Sequence, residues 1–582
     1  MTDLHLTDAR ADRVEVAAVD AVLGSTTAVV VESDRLVRGG AQARRELRHL
    51  LLPALHALQN AKGWISPGGL NLVADRLQVP AAHAYGVATF YDLFCTEAPD
   101  HDGATHWVCT DIACRAGGDH MARMAELDAA GAHHEDSPCL GQCERAGAAV
   151  YVQGRGGPDS DPGSEAAELP QAGESGLRLL SRIGRVDPTS LESYVAAGGY
   201  KALAAAMAAG PDGVIEAVTE AGLSGRGGAA FPTGVKWRGV RDAAGGGAQG
   251  DTKHVVVNAD ESEPGTFKDR FVLENDPFAL VEAATIAAYA TGATEGWIYV
   301  RGEYPVVVER LEAAMAAARE AGFLGQEIAR SSFSFDLEIR RGAGAYICGE
   351  ETALFNSIEG FRGEPRQKPP FPTTHGLFNE PTAINNPETL LNVLPILLDG
   401  AEAYRSVGTD QSPGTRLFCV SGRVGQPGVY EHPFATTLGE VIERAGGVAD
   451  GGELGAVLLG GAAGSFVGPE RLPLPLTLED TRAAGTTVGS GVVMVFDTTD
   501  DMVDIVNRIA EFFRHESCGQ CVPCRIGTQR QLETLVRLGP GGGELIDDLA
   551  TAMADASICG LGHTASSAVQ SALALGLIGD PS

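Results

Sequence analysis

The amino-acid sequence predicts a multidomain α/β chain. At roughly 100–200 residues per domain, its 582 residues form three to five compact units. Valine-rich runs such as His254–Asn258 alternate with amphipathic stretches at helical spacing, the pattern of interleaved strands and helices. Cysteines gather in two sets, Cys109–Cys143 and Cys518–Cys559. Between them, Gly154–Gly176 is rich in Gly, Ser, Pro, Asp and Glu and almost lacks large apolar side chains, as a flexible linker does. The chain divides accordingly into 1–153, a linker at 154–176, 177–412, 413–498 and 499–582.

A formal charge of −32 opposes binding to nucleic acid or to an anionic membrane surface. Any anionic ligand must be met by local Arg, Lys or backbone N–H groups. A hydrophobic content of 44% is ample for buried cores. No basic segment leads into an apolar stretch at the start, so no signal peptide is expected. The run Ala565–Ile578 is interrupted by Ser566, Ser567, Gln570 and Ser571 and is too short to span a bilayer, so no membrane insertion is expected. Eleven cysteines without a secretion signal point to a reducing compartment, the cytoplasm, with thiols used as ligands.

In chain order, residues 1–40 hold a helix. Leu47, Leu51, Leu55 and Leu58 mark a second from Ala41 to Ala61, closed by Lys62-Gly63, with Pro53 placed to kink it. Pro67 and Pro80 open two more. His106–Cys109 and Ala148–Val152 read as strands around a helix at Asp119–Ala130. Pro211–Gly222 reads as a helix, and His254–Asn258 as a buried strand. Phe418–Val424, Gly428–His432 and Gly491–Phe496 read as strands, with a helix at Thr437–Ala445. Ile505, Val506, Ile509, Phe512 and Phe513 lie on one helical face leading into the second cysteine set.

That set begins Cys518-Gly519-Gln520-Cys521-Val522-Pro523-Cys524, and Cys559 is the only later cysteine. Three thiols spaced two apart converge on one small inorganic centre, and a four-iron cluster fits this better than zinc, which prefers paired Cys-x-x-Cys units. The first set, Cys109-x4-Cys114 and Cys139-x3-Cys143, suits a two-iron cluster whose irons each take two sulfurs; a zinc site is the alternative. Cys95, Cys348 and Cys419 fall outside both sets and read as small buried hydrophobes.

A glycine-rich string, Gly225–Lys236, offers close backbone approach to a phosphate, with charge from Arg226 and Lys236. The helix read before it argues against a common Rossmann crossover, in which such a loop follows a strand. The strand at His254 runs into Asp260, Glu261 and Glu263. A second glycine-rich loop, Gly342–Thr352, ends in Glu350 and Glu351; Lys368, Phe371 and Asn385-Asn386 follow. Together these supply phosphate donors, polar groups for ribityl and ring atoms, and aromatic faces, the inventory that a flavin plus a nicotinamide requires.

The stretch Tyr85–Tyr91 with the first cysteine set resembles the 24-kDa, thioredoxin-like [2Fe-2S] ferredoxin family of NADH dehydrogenase components, over residues 41–153. Leu177–Gly562 resembles the 51-kDa flavoprotein family of the same complexes. The resemblance implies a thioredoxin-like ferredoxin domain, an α/β FMN-binding domain, a ubiquitin-like β-grasp domain and a C-terminal helical bundle. It implies FMN contacts at Arg226, Gly227, Gly228, Lys236, Asn258, Asp260, Glu261, Gly349, Glu350, Asn385 and Asn386. NADH contacts are implied at Phe231, Glu263, Glu351, Lys368 and Phe371, with Glu351 and Glu263 serving ribose or carboxamide groups. Cys109, Cys114, Cys139 and Cys143 would hold [2Fe-2S], and Cys518, Cys521, Cys524 and Cys559 [4Fe-4S]. Ser224, Ala230 and Pro387 depart from the Arg, Gly and Val expected there. A fused pair of such modules points to a diaphorase that exchanges electrons between NAD(H) and a partner. The stretch Cys524-Arg525-Ile526-Gly527-Thr528 leans toward a formate dehydrogenase with a large iron–sulfur/molybdopterin subunit. A bidirectional hydrogenase is second and a complex I fusion third. A non-redox scaffold holding two zincs is the alternative of another class.

Overall fold

The computed structural model describes residues 7–24, 31–33, 36–38, 47–101, 103–117, 120–147, 150–154, 157–160, 169–244 and 252–578. The expected helix start at Ala41, the ends expected at Asp119 and Ala148, and residues 155–156 and 161–168 of the linker lie outside these residues. The rest of that stretch is built into the fold, Gly157–Ser160 as a strand and Gln171 as a buried partner of Glu431, because its backbone and amide groups find acceptors and donors there despite the polar composition.

The chain opens with a helix, Arg13–Leu23, set by a capping box in which Asp12 and Glu15 each satisfy the other's backbone N–H. A small antiparallel pair follows, β1 (Val31–Ser33) and β2 (Leu36–Arg38). The next helix spans Leu51–Lys62 and ends at Gly63 with φ 85°. Pro53 therefore stands in its first turn, where the missing N–H has no intrahelical acceptor to lose, and the kink expected there does not arise. Ser66 caps Pro67–Leu77.

The ferredoxin unit is a four-stranded sheet of β3 (Thr105–Cys109), β4 (His133–Ser137), β5 (Val150–Gly154) and β6 (Gly157–Ser160), in the order β4-β3-β5-β6. Only β3 and β4 run parallel, in a register that pairs Cys109 with Ser137. Both strands therefore end on the same edge. The loops leaving them, one with Cys109 and Cys114 and the other with Cys139 and Cys143, emerge side by side.

The next unit holds a parallel sheet of β7 (His254–Ala259), β8 (Glu295–Val300), β9 (Asp336–Arg341) and β10 (Thr382–Asn385), in the order β10-β7-β8-β9. Strand β7 is central and buried on both faces, which explains its unbroken Val-Val-Val run. The glycine-rich loop follows the helical stretch Lys201–Glu220, broken at Gly210 (φ 76°), and leads into Thr233–Asp242. It joins helix to helix, as the reading against a Rossmann crossover required.

The third sheet contains β11 (Thr415–Gly422), β12 (Gly428–Pro433), β13 (Leu454–Leu459), β14 (Ser465–Val467) and β15 (Val492–Asp497), ordered β12-β11-β15-β13-β14. Strands β11 and β15 are parallel and the other pairs antiparallel. Helix Leu438–Arg444, opened by a Thr437/Glu440 capping box, packs on this sheet through Leu438, Val441 and Ile442 in a core of its own. Helices Met502–His515, Val522–Leu538, Gly543–Ala556 and Ser567–Ala574 form the C-terminal bundle. One apolar core runs from the N-terminal helices through the parallel sheet to this bundle. Among the described residues, no helix is long and apolar enough to cross a membrane.

Cys348 and Cys419 are buried as expected, but Cys95 is exposed. It follows the last turn before a polar loop, and its thiol donates to the Glu97 carbonyl (3.0 Å) instead of packing in the core.

Candidate functional site

A cavity of about 1010 Å³ opens at the C-terminal ends of the parallel strands. Open α/β sheets bind ligands outside those ends, and the volume stands at the top of the range for small-molecule sites. Fifteen of the sixteen residues expected to touch FMN or NADH line it, Arg226 being the exception.

Gly227 and Gly228 form one wall. A Cβ at Gly227 would meet Asn386 Cβ at 3.2 Å, and Gly228 has φ +113°, so neither position accepts a side chain freely and the backbone stays open to a ligand. Lys236 Nζ donates to the Ile384 carbonyl (2.8 Å), and burial lowers its pKa. Asn258 Nδ2 donates to the Gly349 carbonyl (2.7 Å), joining the end of β7 to the second glycine loop. Asn385 accepts from Trp237 Nε1 (2.9 Å), and Asn386 donates to Asp269 (2.6 Å) while capping Pro387–Leu391. Pro387 is thus the first residue of a helix, where proline is preorganised. Ala230 has φ +51°, a left-handed conformation that explains why glycine is expected there.

The carboxylates have distinct places. Glu350 caps helix Glu351–Ile358, accepting from the backbone of Thr352 (2.8 Å) and Ala353 (3.0 Å). Lys368 Nζ sits between Glu350 (2.8 Å) and Glu351 (2.6 Å). Glu261 accepts from the backbone N–H groups of Asp269 (2.8 Å) and Arg270 (2.9 Å). Glu263 accepts from Ala463 N (2.9 Å) and Ser490 Oγ (2.7 Å), both on loops of the third sheet. Burial raises Asp260 and Glu261 to about 8 and Glu263 to about 7. Burial thus disfavours the charged form of these acids, which lessens their repulsion of an anionic phosphate entering nearby. Phe231 and Phe371 are 50% and 57% exposed at the cavity and offer ring faces for stacking. The glycine cradle, the buried acids with raised pKa and these faces fit a flavin with a nicotinamide beside it.

The Arg226 side chain is turned away. Its guanidinium donates to Ser224 Oγ (3.0 Å), Tyr404 Oη (3.0 Å) and the Pro413 carbonyl (3.2 Å), so the phosphate contact expected of that side chain is not set up here. Ser224, where Arg was expected, is one of its anchors. Several lining residues carry no signal in the sequence. Lys268 is buried between Asp269 (2.7 Å) and Glu388 (3.0 Å), and Ala463, Ser490, Gly560 and Leu561 come from distant segments. Gly560 and Leu561 directly follow Cys559, so the second cysteine set abuts the cavity wall.

Cys109, Cys114, Cys139 and Cys143 are all buried, with Cys139 and Cys143 sulfurs 3.5 Å apart. Hydrogen bonds from Cys109 and Cys143 hold the Cys139 thiol well below the usual range, while bonds to Cys114 and then Cys139 push Cys109 up and the bond to Cys139 pushes Cys143 up. Cys521 and Cys559 stand at helix N-caps and Cys524 lies in a first turn, and burial pushes the Cys524 and Cys559 thiols up. A single tetrahedral zinc with Zn–S of about 2.3 Å would bring its sulfurs to about 3.8 Å of one another. Among the described residues, only Asp100, His101 and His133 bring three such ligand atoms within 4.8 Å. Neither cysteine set is among the groups that bring three such atoms that close.

Comparison with known proteins agrees segment by segment. Residues 40–154 match the thioredoxin-like [2Fe-2S] ferredoxin family, 218–395 the Nuo51 FMN-binding domain, 417–464 the SLBB domain and 504–575 the NADH-ubiquinone oxidoreductase-F iron-sulfur binding region. The chain is 44% identical over 402 residues to an F-type component of the NADH-quinone oxidoreductase of Rhizobium meliloti, covering 68% of this chain and 94% of the relative. It is 43% identical to HndC of the NADP-reducing hydrogenase of Solidesulfovibrio fructosivorans, covering 67% of this chain and 79% of that one. A solved chain of an NAD+-reducing [NiFe]-hydrogenase in the H2-reduced state superposes with a TM-score of 0.76 at 33% identity, covering 92% of this chain and 94% of the other.

Proposed function

The chain belongs to the family of the FMN-binding component of NADH-quinone oxidoreductases, with a thioredoxin-like [2Fe-2S] ferredoxin fused ahead of it, and from that premise we propose that it is the NAD-linked diaphorase subunit of a cytoplasmic formate dehydrogenase. As an NADH-oxidising diaphorase of this family it carries FMN, one [2Fe-2S] and one [4Fe-4S] cluster and relays electrons to a partner. When bound, FMN supplies the conversion between the two-electron chemistry of NADH and the one-electron chemistry of clusters.

The chain's own residues bind, orient and insulate. Gly227 and Gly228 would let backbone N–H groups approach the flavin phosphate, with Lys236 as a nearby cation. Phe231 and Phe371 give the nicotinamide and adenine rings a surface. Glu351, held by Lys368, is placed to accept from ribose or carboxamide, and Glu263 keeps the third-sheet loops closed over the cavity. No acid or base catalyst is required of any side chain.

The observation that carries this reading is the cavity wall itself. Gly560 and Leu561 line it immediately after Cys559, so a cluster held at that cysteine adjoins the flavin site. The leaning toward formate rests on Cys524–Thr528. The second reading, a hydrogenase diaphorase, is favoured by the near full-length likeness, ferredoxin segment included, to the hydrogenase chain. Anaerobic purification from the native host separates them. Co-purifying molybdenum or tungsten with formate-dependent NAD+ reduction supports the first reading; nickel with H2-dependent reduction replaces it with the second. A colourless protein with zinc and neither iron nor FMN would overturn both.

A further inference from the structure

Two arginines of the flavin unit reach into the loop that carries Cys139 and Cys143. Arg270 donates from Nε to the Gly141 carbonyl (2.8 Å) and pairs with both Glu144 and Glu274, so two carboxylates compensate its charge. Arg301 is placed differently. It follows β8, is 3% exposed, and spans two carbonyls with one guanidinium: Nη2 donates to Cys139 O (2.6 Å) and Nη1 to Glu261 O (2.8 Å). One carboxylate, Glu303, pairs with it at 2.7 Å. Its buried Nε–H finds no acceptor among the described residues. The Tyr304 ring lies 5.1 Å from the guanidinium carbon, and its hydroxyl donates to the same Glu261 carbonyl (3.2 Å). Gly141, at φ +65°, leaves the space that this tyrosine occupies; a Cβ there would overlap its hydroxyl.

We propose that Arg301 is a positioning residue that sets the reduction potential of the two-iron centre and ties that centre's ligand loop to the flavin cavity. Reduction adds one electron and no proton to the site, and the guanidinium keeps all five N–H groups. A fixed buried cation beside a ligand residue stabilises the added negative charge, strongly so where water is excluded. The planar fork holds both carbonyls rigidly, which the single ammonium of lysine does not. Glu261 O belongs to a residue that lines the cavity, so the fork fixes the ligand loop to the wall against which the flavin would rest.

The inference rests on the assignment of Cys109, Cys114, Cys139 and Cys143 to a two-iron cluster. The test is an EPR-monitored redox titration of the anaerobically purified full chain. Arg301→Gln is expected to lower the two-iron midpoint at least tenfold in the reduced-to-oxidised ratio, 59 mV for one electron, with iron and FMN contents unchanged. Arg301→Lys, which keeps the charge, is expected to recover most of that shift. Glu303→Gln, which removes the compensating charge, is expected to move the midpoint the opposite way. An unmoved midpoint in Arg301→Gln overturns the proposal, as does an Arg301→Lys midpoint as low as that of Arg301→Gln. If Arg301→Gln does not fold, Glu303→Gln decides alone, and a midpoint that does not rise overturns it. A wild-type protein with no two-iron signal would instead remove the cluster assignment.

Discussion

Glu350 and Glu351 are neighbours in sequence with different work. Glu350 is consumed as a helix cap, whereas Glu351 meets the cavity with Lys368 as its partner. Glu351→Gln is therefore expected to retain FMN and to lower kcat/KM for NADH by about tenfold, a loss of about 1.4 kcal/mol of transition-state binding. Steady-state rates equal to wild type would remove the assignment. Asp260 carries a pH consequence. Its folded pKa of about 8 lies far above the ordinary carboxylate value of 3.8, so the folded chain holds a proton that the unfolded chain releases between about pH 4 and pH 8. Its favourable contribution is fully present below pH 4 and is lost as the pH rises toward 8. Glu261 and Glu263 act in the same direction. Denaturation midpoints measured from pH 5 to pH 8 should fall with rising pH, and Asp260→Asn should flatten that slope. The identity of these residues was legible from the sequence, because three acids at the end of a buried strand need a reason to be there. Their protonation was not, since it comes from the depth of burial.

Strands and helices were legible where one face dominates. The apolar stripe of Met502–His515 identified itself, as did the unbroken Val-Val-Val run of β7, which is buried on both faces, and the helix read at Thr437–Ala445 is present as Leu438–Arg444. Pro53 misled because its effect depends on where the helix begins, and that start was decided by packing. What holds one element to another was invisible. Glu431 on β12 is buried and accepts from the backbone N–H groups of Arg178 (3.0 Å), Leu179 (2.9 Å) and Leu180 (3.0 Å) and from Thr415 Oγ1 (2.7 Å). It ties the segment that follows the linker to a sheet some 250 residues later. Glu431→Ala leaves those amides without an acceptor and is expected to cost about 3 kcal/mol or more, read as a lowered unfolding midpoint. An unchanged midpoint would mean that water reaches those amides.

Ion pairs join the ferredoxin unit to the C-terminal bundle: Arg508 meets Asp111 at 3.1 Å and Arg115 meets Asp504 at 2.7 Å. The second cysteine set lies against the central cavity through Gly560 and Leu561, and the first is tied to it through Arg301, which bonds both the Cys139 and the Glu261 carbonyl. The second set, whose Cys559 directly precedes two residues of the cavity wall, is expected to be the exit toward a partner. Cys559→Ala is expected to abolish electron delivery to the co-purified partner while leaving NADH oxidation by a small dye that reacts at the flavin. Loss of both activities with FMN still bound would place the exit elsewhere. Cys139→Ser, which disrupts the first set, is expected to leave delivery to the partner intact, as a store off the main route would; loss of all delivery, with FMN and fold intact, would put that cluster on the route.

By itself the sequence determined the inventory: eight thiols grouped by spacing, the glycine loops and the acids at a strand end, because spacing along a chain is enough to specify candidate ligand sets and local backbone. The tertiary structure alone decided which of these groups meet and in what charge state. It turned Arg226 away from the cavity, raised the Asp260 pKa by burial, brought Ser490 and Leu561 from distant segments to the wall, and set Arg301 between the Cys139 and Glu261 carbonyls. Those outcomes depend on packing and desolvation among residues far apart in the chain, which no local pattern encodes.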